Sequence, residues 1–170
     1  YGGYRYDGRW RPIARRFQEH YGLTGESAVL DVGCAKGFLL HDLLEAIPGI
    51  AVAGLDISEY VLTNAMETVQ PFLCLGNCRD LPYPDRSFDL VVSIATIHNL
   101  ELDEIKMALR ELERVSRRHK FIKVGAYRNE EERTALDKWN VVAKTFLPCD
   151  EWERVFAEVG YTGDYCWFTP

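Results

Sequence analysis

The sequence predicts an α/β fold in three layers: a doubly wound, mostly parallel central sheet with helices on both faces. Three observations predict it. Residues 28–40 pass from an apolar run through an acid and a small-residue turn, Asp31-Val32-Gly33-Cys34-Ala35-Lys36-Gly37, into a helical pattern. A second short apolar run, Ala51-Val52-Ala53-Gly54-Leu55, also ends in an acid, Asp56. A third, residues 87–94, is nearly continuous in apolar side chains, as strands buried on both faces are.

The elements follow in order. The first ten residues have no helical or strand period and hold four aromatics, Tyr1, Tyr4, Tyr6 and Trp10. They form either a lid over a ligand or a docked segment that covers core. Pro12 starts a helix with Ile13, Phe17 and Tyr21 on one face, and Gly22 ends it. After strand one and its turn, Phe38, Leu39, Leu43 and Leu44 take helical spacing, with Asp42 and Glu45 off that face. Ala46-Ile47-Pro48-Gly49 stops the helix, and strand two runs to Asp56. Ser58 caps a helix of Tyr60, Val61, Leu62 and Ala65. Strand three spans residues 71–76 and strand four residues 87–94. Residues 103–118 make a helix with Ile105, Leu109, Leu112 and Val115 along one face. Strand five covers residues 120–125, and residues 128–144 form a helical insertion. A final helix starts at Pro148-Cys149-Asp150, turns Trp152, Val155, Phe156 and Val159 inward, and closes on Gly160. Residues 161–168 supply a last strand.

The chemistry concentrates around the first turn. A strand, glycine loop and helix start present backbone N–H groups to an anionic or polar ligand. Gly33 and Gly37 permit positive φ and close backbone approach. Asp56 follows this loop by roughly 20 residues, the spacing at which a βαβ nucleotide site sets a carboxylate on ribose hydroxyls. A dinucleotide site wants G-x-G-x-x-G, which this loop lacks.

Val29-Leu30-Asp31-Val32-Gly33-Cys34-Ala35-Lys36-Gly37 resembles the first motif of the class I S-adenosylmethionine-dependent methyltransferases. Ala35 stands where that motif has its middle glycine, and its Cβ is expected to keep the loop in a non-glycine conformation there. Gly76-Asn77-Cys78-Arg79-Asp80-Leu81-Pro82-Tyr83 resembles the family's adenine-holding stretch. Ser87-Phe88-Asp89-Leu90-Val91 and Ala95-Thr96-Ile97-His98-Asn99-Leu100 are similar to its small-molecule, methyltransferase type 11-like branch. The resemblance covers residues 23–125 well and the ends loosely.

It implies the class I methyltransferase Rossmann-like fold, S-adenosyl-L-methionine as cofactor, and a small-molecule methyl acceptor. It places Asp31, Gly33, Cys34, Ala35, Gly37, Phe38, Asp56, Ile57, Asn77, Cys78, Ser93 and Ile94 around the cofactor. Asn77 would accept from the adenine amino group through its amide oxygen, and Cys78 would offer its backbone N–H. His98, after strand four, is the candidate catalytic base, with a capping or packing role as the alternative. Tyr4, Tyr6, Trp10, Asn99, Tyr127 and Trp139 are expected on the acceptor side. Tyr4, Tyr6 or Tyr21 would face the sulfonium by cation–π attraction, and Lys36 is expected to be a solvated loop residue. The family's usual ending is two antiparallel strands, of which one is found here. Strand four carries no Asn/Asp-Pro-Pro-Tyr/Phe motif of the kind that grips a nucleic-acid base amine.

Length and composition bound the rest. A chain of 170 residues, 47% hydrophobic and 27% charged, is expected to form one domain. Its parts are residues 1–22 (aromatic segment and helix), 23–125 (cofactor-binding core) and 126–170 (acceptor-side insertion, helix and strand). The net charge of −6 makes nucleic acid a poor partner. Arg9, Arg11, Arg15 and Arg16, and Arg114, Arg117, Arg118 and Lys120 at a helix end, are expected to be solvated surface. His20, His41 and His119 read as helix surface or helix end. Neither a membrane span nor a signal peptide is found, which with five cysteines lacking a C-x-x-C pair suggests a cytoplasmic protein with reduced thiols and no bound metal. The functional reading is methyl transfer to a hydroxyl or amine of a small polar metabolite. The alternatives are a catalytically idle cofactor-binding domain serving a partner protein and a nicotinamide-dependent reductase.

Overall fold

Helix α1 (Arg11–Tyr21) owes its ends to two residues: Pro12 in its first turn and Gly22, left-handed at φ 63°, after its last. The computed structural model describes residues 5–169. Seven strands follow in chain order, interleaved with helices: β1 (Ala28–Val32), α2 (Phe38–Ala46), β2 (Ala51–Asp56), α3 (Glu59–Thr63), β3 (Leu73–Leu75), β4 (Phe88–Ile94), α4 (Leu102–Val115), β5 (Ser116–Tyr127), α5 (Glu130–Trp139), β6 (Leu147–Pro148), α6 (Cys149–Val159) and β7 (Asp164–Phe168). The sheet runs β3-β2-β1-β4-β5, with β6 and β7 both paired to β5. Every pairing is parallel. The chain winds outward from β1 to β3, then returns to build β4 and β5 on the other side. The order therefore reverses between β1 and β4, where α/β sheets open a crevice at their strand ends.

Strand β1 shows why the sheet is buried on both faces. Its side chains alternate with period two. Leu30 and Val32 join the cluster under α4 and α6, while Val29 joins the cluster under α1 and α2.

Several boundaries differ from the sequence reading. Helix α4 stops at Val115, three residues short of 118, because Arg86 N–H and Ser87 N–H take the carbonyls of Arg114 and Val115 at 2.8 Å each. Ser116 then pairs with Phe88, so Arg117, Arg118 and His119 belong to β5 and not to a helix end. Arg114 holds Glu111 and Asp85, and Lys120 holds Glu113, so this cluster is paired rather than simply solvated. Helix α5 stops at Trp139, not 144. The Asn140 side chain accepts from Ala143 N–H at 2.7 Å and donates to Ala143 carbonyl at 2.9 Å, which turns residues 140–144 into a loop. Helix α3 ends at Thr63, and β3 is preceded by a 3₁₀ turn, Gln70–Phe72. β6 was not legible in the sequence. In place of an antiparallel ending, β7 runs parallel to β5, because α6 carries the chain back across the sheet first.

Asp42, expected off the apolar face of α2, is buried. Its Oδ1 accepts from Tyr6 hydroxyl at 2.5 Å and lies 3.6 Å from Arg11 Nε. The five cysteines are free thiols, and no helix among the described residues is long and apolar enough to cross a membrane.

Candidate functional site

A cavity of about 740 Å³ lies over the C-terminal ends of β1, β2 and β4, at the reversal of strand order. On its β1 and β2 side the glycine loop is lashed to the sheet: Gly33 N–H and Cys34 N–H both donate to Leu55 carbonyl, at 2.7 and 3.1 Å. Gly33 sits at φ 82°, and a Cβ there would fall 2.1 Å from Thr96 Oγ1. Gly37, at φ 75°, would set a Cβ 2.5 Å from Val69 Cγ2. Both positions therefore require glycine. Ala35 departs from expectation: it takes the left-handed region, at φ 47°, despite its Cβ.

Two carboxylates face this half. Asp56 is held by Ala35 N–H on Oδ2 and Ser58 N–H on Oδ1, each at 3.0 Å. Each oxygen keeps accepting capacity for a ligand hydroxyl. Asp31 is 5% exposed, and no described residue donates to its carboxylate. Burial, with the neighbouring charge of Asp56, pushes its pKa up to about 7. A buried carboxylate in a cavity wall, with no donor among the described residues, fits a positively charged ligand group, and Asp56 fits a diol. Together they suit an adenosyl compound carrying cationic centres.

Beyond β3, Asn77 and Cys78 line the cavity. The Asn77 amide oxygen already accepts from Arg79 N–H and Arg79 Nε, both at 3.0 Å, so the expected adenine contact through that oxygen has no lone pair left. Arg79 also pairs with Glu104, and both reach the cavity. Cys34, Ala35, Phe38, Ile57 and Ile94 line it as well. Gly37 and Ser93 do not. Ser93 is fully buried and donates to Val32 carbonyl at 3.1 Å, tying β4 to β1.

On the β4 side, His98 is 2% exposed. Its Nδ1 accepts from Gly125 N–H at 2.9 Å, and its carbonyl accepts from Lys144 N–H and Thr145 N–H at 3.0 Å each. Burial pulls its pKa down to about 4, so the imidazole is neutral. Asn99 lines the same wall, with its Oδ1 buried and without a partner among the described residues. Trp139 and residues 140–144 roof this half, and Val141 and Val142 are 77% and 60% exposed.

Of the six expected acceptor-side residues, the structure brings three to the cavity, Trp10, Asn99 and Trp139. Trp10 lines the cavity. Tyr6 does not; its ring packs edge-on against Phe38 and His41. Tyr127 lies outside, under Arg133, and Tyr21 donates to Asp164 at 2.9 Å, away from the cavity. Tyr4 lies outside the described residues. Lys36, read as a solvated residue, lines the cavity. Sequence reasoning also missed Thr96, Arg79 and Glu104. Arg79 and Glu104 meet across 25 residues of chain, and Thr96 meets Gly33 only through the pairing of β1 with β4, so no local pattern announces them.

Comparison with known proteins places this geometry. A family model described as "Methyltransferase domain" matches residues 30–122. A demethylmenaquinone methyltransferase of Symbiobacterium thermophilum is 33% identical over 164 residues, covering 85% of this chain and 60% of that protein. A tRNA (carboxymethyluridine(34)-5-O)-methyltransferase of Arabidopsis thaliana is 28% identical over 146 residues, covering 85% of this chain and 34% of that one. The chain thus spans less than two thirds of these relatives' lengths, 60% and 34%. Among solved structures, a chain of the complex between the Haloferax volcanii Trm112 methyltransferase activator and a methyltransferase superposes with a TM-score of 0.68 at 22% identity, covering 91% of this chain and 73% of that one. The [4+2]-cyclase SpnF superposes at 0.70 with 18% identity, covering 88% and 57%. Both share the fold. With the matched region spanning the glycine loop, both strand-end carboxylates and β4, the chain belongs to the methyltransferase domain family, whose methyl donor is S-adenosylmethionine.

Proposed function

We propose that this domain transfers a methyl group from S-adenosylmethionine to a hydroxyl or amine of a small polar metabolite held at the β4 side of the cavity. One observation carries the reading: a single cavity of about 740 Å³ runs from the Asp56 carboxylate to His98 and the roof of residues 139–144. That volume is within the range of small-ligand sites, roughly 300–1,000 Å³. The net charge of −6 speaks against a polyanionic acceptor.

In this reading Asp56 accepts from the ribose hydroxyls and Asp31 faces a cationic centre. Ile57 and Phe38 supply apolar wall, and the loop from Gly33 to Lys36 brings backbone close to the ligand. When bound, the cofactor supplies a methyl group already activated on a sulfonium. The protein's work is then alignment and the exclusion of water. Trp139, Val141 and Val142 cover the acceptor side, and the two hydrogen bonds to His98 carbonyl hold that cover down.

Calorimetric titration with S-adenosylhomocysteine tests the donor half. Asp56→Ala is expected to weaken binding by about 1.5–3 kcal/mol, the value of hydrogen bonds to a charged acceptor. Unchanged affinity removes Asp56 from the site. Incubation with labelled S-adenosylmethionine, a metabolite panel and bulk tRNA tests the acceptor half. Label in tRNA alone overturns the small-molecule reading.

A further inference from the structure

The histidine on the acceptor side has its protons fixed by a backbone group. Gly125 N–H can only donate, so Nδ1 of His98, 2.9 Å away, must be an unprotonated acceptor. The ring's proton therefore sits on Nε2, for which no described residue provides a partner, on a side chain that lines the cavity. To act as a base, Nε2 would first have to lose this proton. The ring would then carry Nδ1–H against Gly125 N–H, two donors face to face in a buried place. An imidazolium meets the same conflict, and burial opposes its charge. His98 is thus a standing hydrogen-bond donor.

Among the described residues, the neighbouring groups offer no substitute base. Lys144 pairs with Glu101 at 3.5 Å. Glu104 is held by Arg79, and Asp56 by two backbone N–H groups. Asp31 stands at the end of β1, in the donor half of the cavity. An alkyl alcohol would have to lose a proton, and an amine arriving as ammonium would too. Neither finds a taker beside His98 among the described residues.

We propose that the acceptor is an acidic oxygen compound, a carboxylic acid, enol or phenol that enters as its anion, and that His98 grips this anion through Nε2–H. The proposal rests on the methyl-transfer reading above and replaces its hydroxyl-or-amine acceptor with an acidic oxygen. In the step, a lone pair of the anionic oxygen forms the new O–C bond. The bonding pair of the S–C bond leaves with sulfur, the opposite charges cancel, and no proton moves.

The test uses the full chain, labelled S-adenosylmethionine and four probes built on one ring: benzoic acid, phenol, benzyl alcohol and benzylamine. Label is expected in the acid or the phenol, with a pH profile that follows only the acceptor's own ionisation. His98→Asn keeps an acceptor for Gly125 N–H but has nothing at the Nε2 position. It is expected to raise the acceptor KM roughly 10–100-fold, the loss of a hydrogen bond to a charged group. His98→Gln, which returns an N–H near that position but cannot titrate, is expected to recover most of that loss. Unchanged S-adenosylhomocysteine affinity certifies that each variant folds. Preferred transfer to the alcohol or amine overturns the proposal and leaves the methyl-transfer reading standing. So does a rate limb near neutral pH that both substitutions abolish together with turnover. S-adenosylhomocysteine binding with no probe and no other small molecule labelled overturns both.

Discussion

Ala35 and Ala95 both hold positive φ, 47° and 56°, and both line the cavity. A left-handed L-residue costs roughly 1–2 kcal/mol. Strain of this kind gathers at ligand sites, where the surrounding structure enforces it. At Ala35 the enforcement is visible: its N–H is committed to Asp56, and the two preceding N–H groups to Leu55 carbonyl. Ala35→Gly should therefore stabilise the ligand-free domain by about 1 kcal/mol, the strain relieved less the added freedom of the unfolded chain. Urea unfolding measures this, and an unmoved or lower midpoint shows that the loop bears no strain.

At the scale of elements, the segment before α1 is anchored to α2 through Asp42, which spacing had set off the apolar face. Tyr6 hydroxyl donates to the buried Asp42, Arg11 lies beside both, and the Tyr6 ring rests on Phe38 and His41. Tyr6→Phe leaves the aromatic contacts but strips a donor from a buried carboxylate. The expected cost is about 1–3 kcal/mol, with faster hydrogen exchange over residues 5–10. Exchange that stays slow there assigns the anchoring to the ring alone. The pairing spans 36 residues, so periodicity within α2 could only assign Asp42 to the wrong face. The same distinction separates what was legible from what was not. β1, β2 and β4 announce themselves as local apolar runs, and Asp31 and Asp56 as acids at strand ends. The end of α4 is set by hydrogen bonds from residues 86 and 87, and the end of α5 by a side-chain clasp at Asn140, so spacing overran both. The sequence pointed to His98, which lines the cavity, but its protonation state depends on Gly125 and was not legible.

For the molecule as a whole, Asp31 ties stability to pH. The folded chain keeps its proton up to about pH 7, whereas the unfolded chain releases it near the ordinary 3.8. Between these values the unfolded state binds fewer protons, so stability falls as pH rises through the window, by roughly 4 kcal/mol in all. Thermal unfolding of the ligand-free domain at pH 5 and pH 8 should show about 3 kcal/mol of this loss, and Asp31→Asn should flatten it. Parallel curves for the two proteins refute the assignment. A cationic ligand favours the ionised carboxylate, so binding near pH 6 should expel a proton. Calorimetry in buffers of different ionisation heat reads that release directly.

The cavity wall is also divided along the chain. Its nucleoside half comes from residues 31–79, while, Trp10, Glu104 and part of α3 aside, its other half comes from residues 94–100 and 139–144. On the proposed reading, donor recognition is thus written in one part of the chain and acceptor choice in two later, short stretches, 94–100 and 139–144. Evolution or an engineer could then rewrite those two stretches, exchanging one methylated product for another, without retuning the grip on the donor.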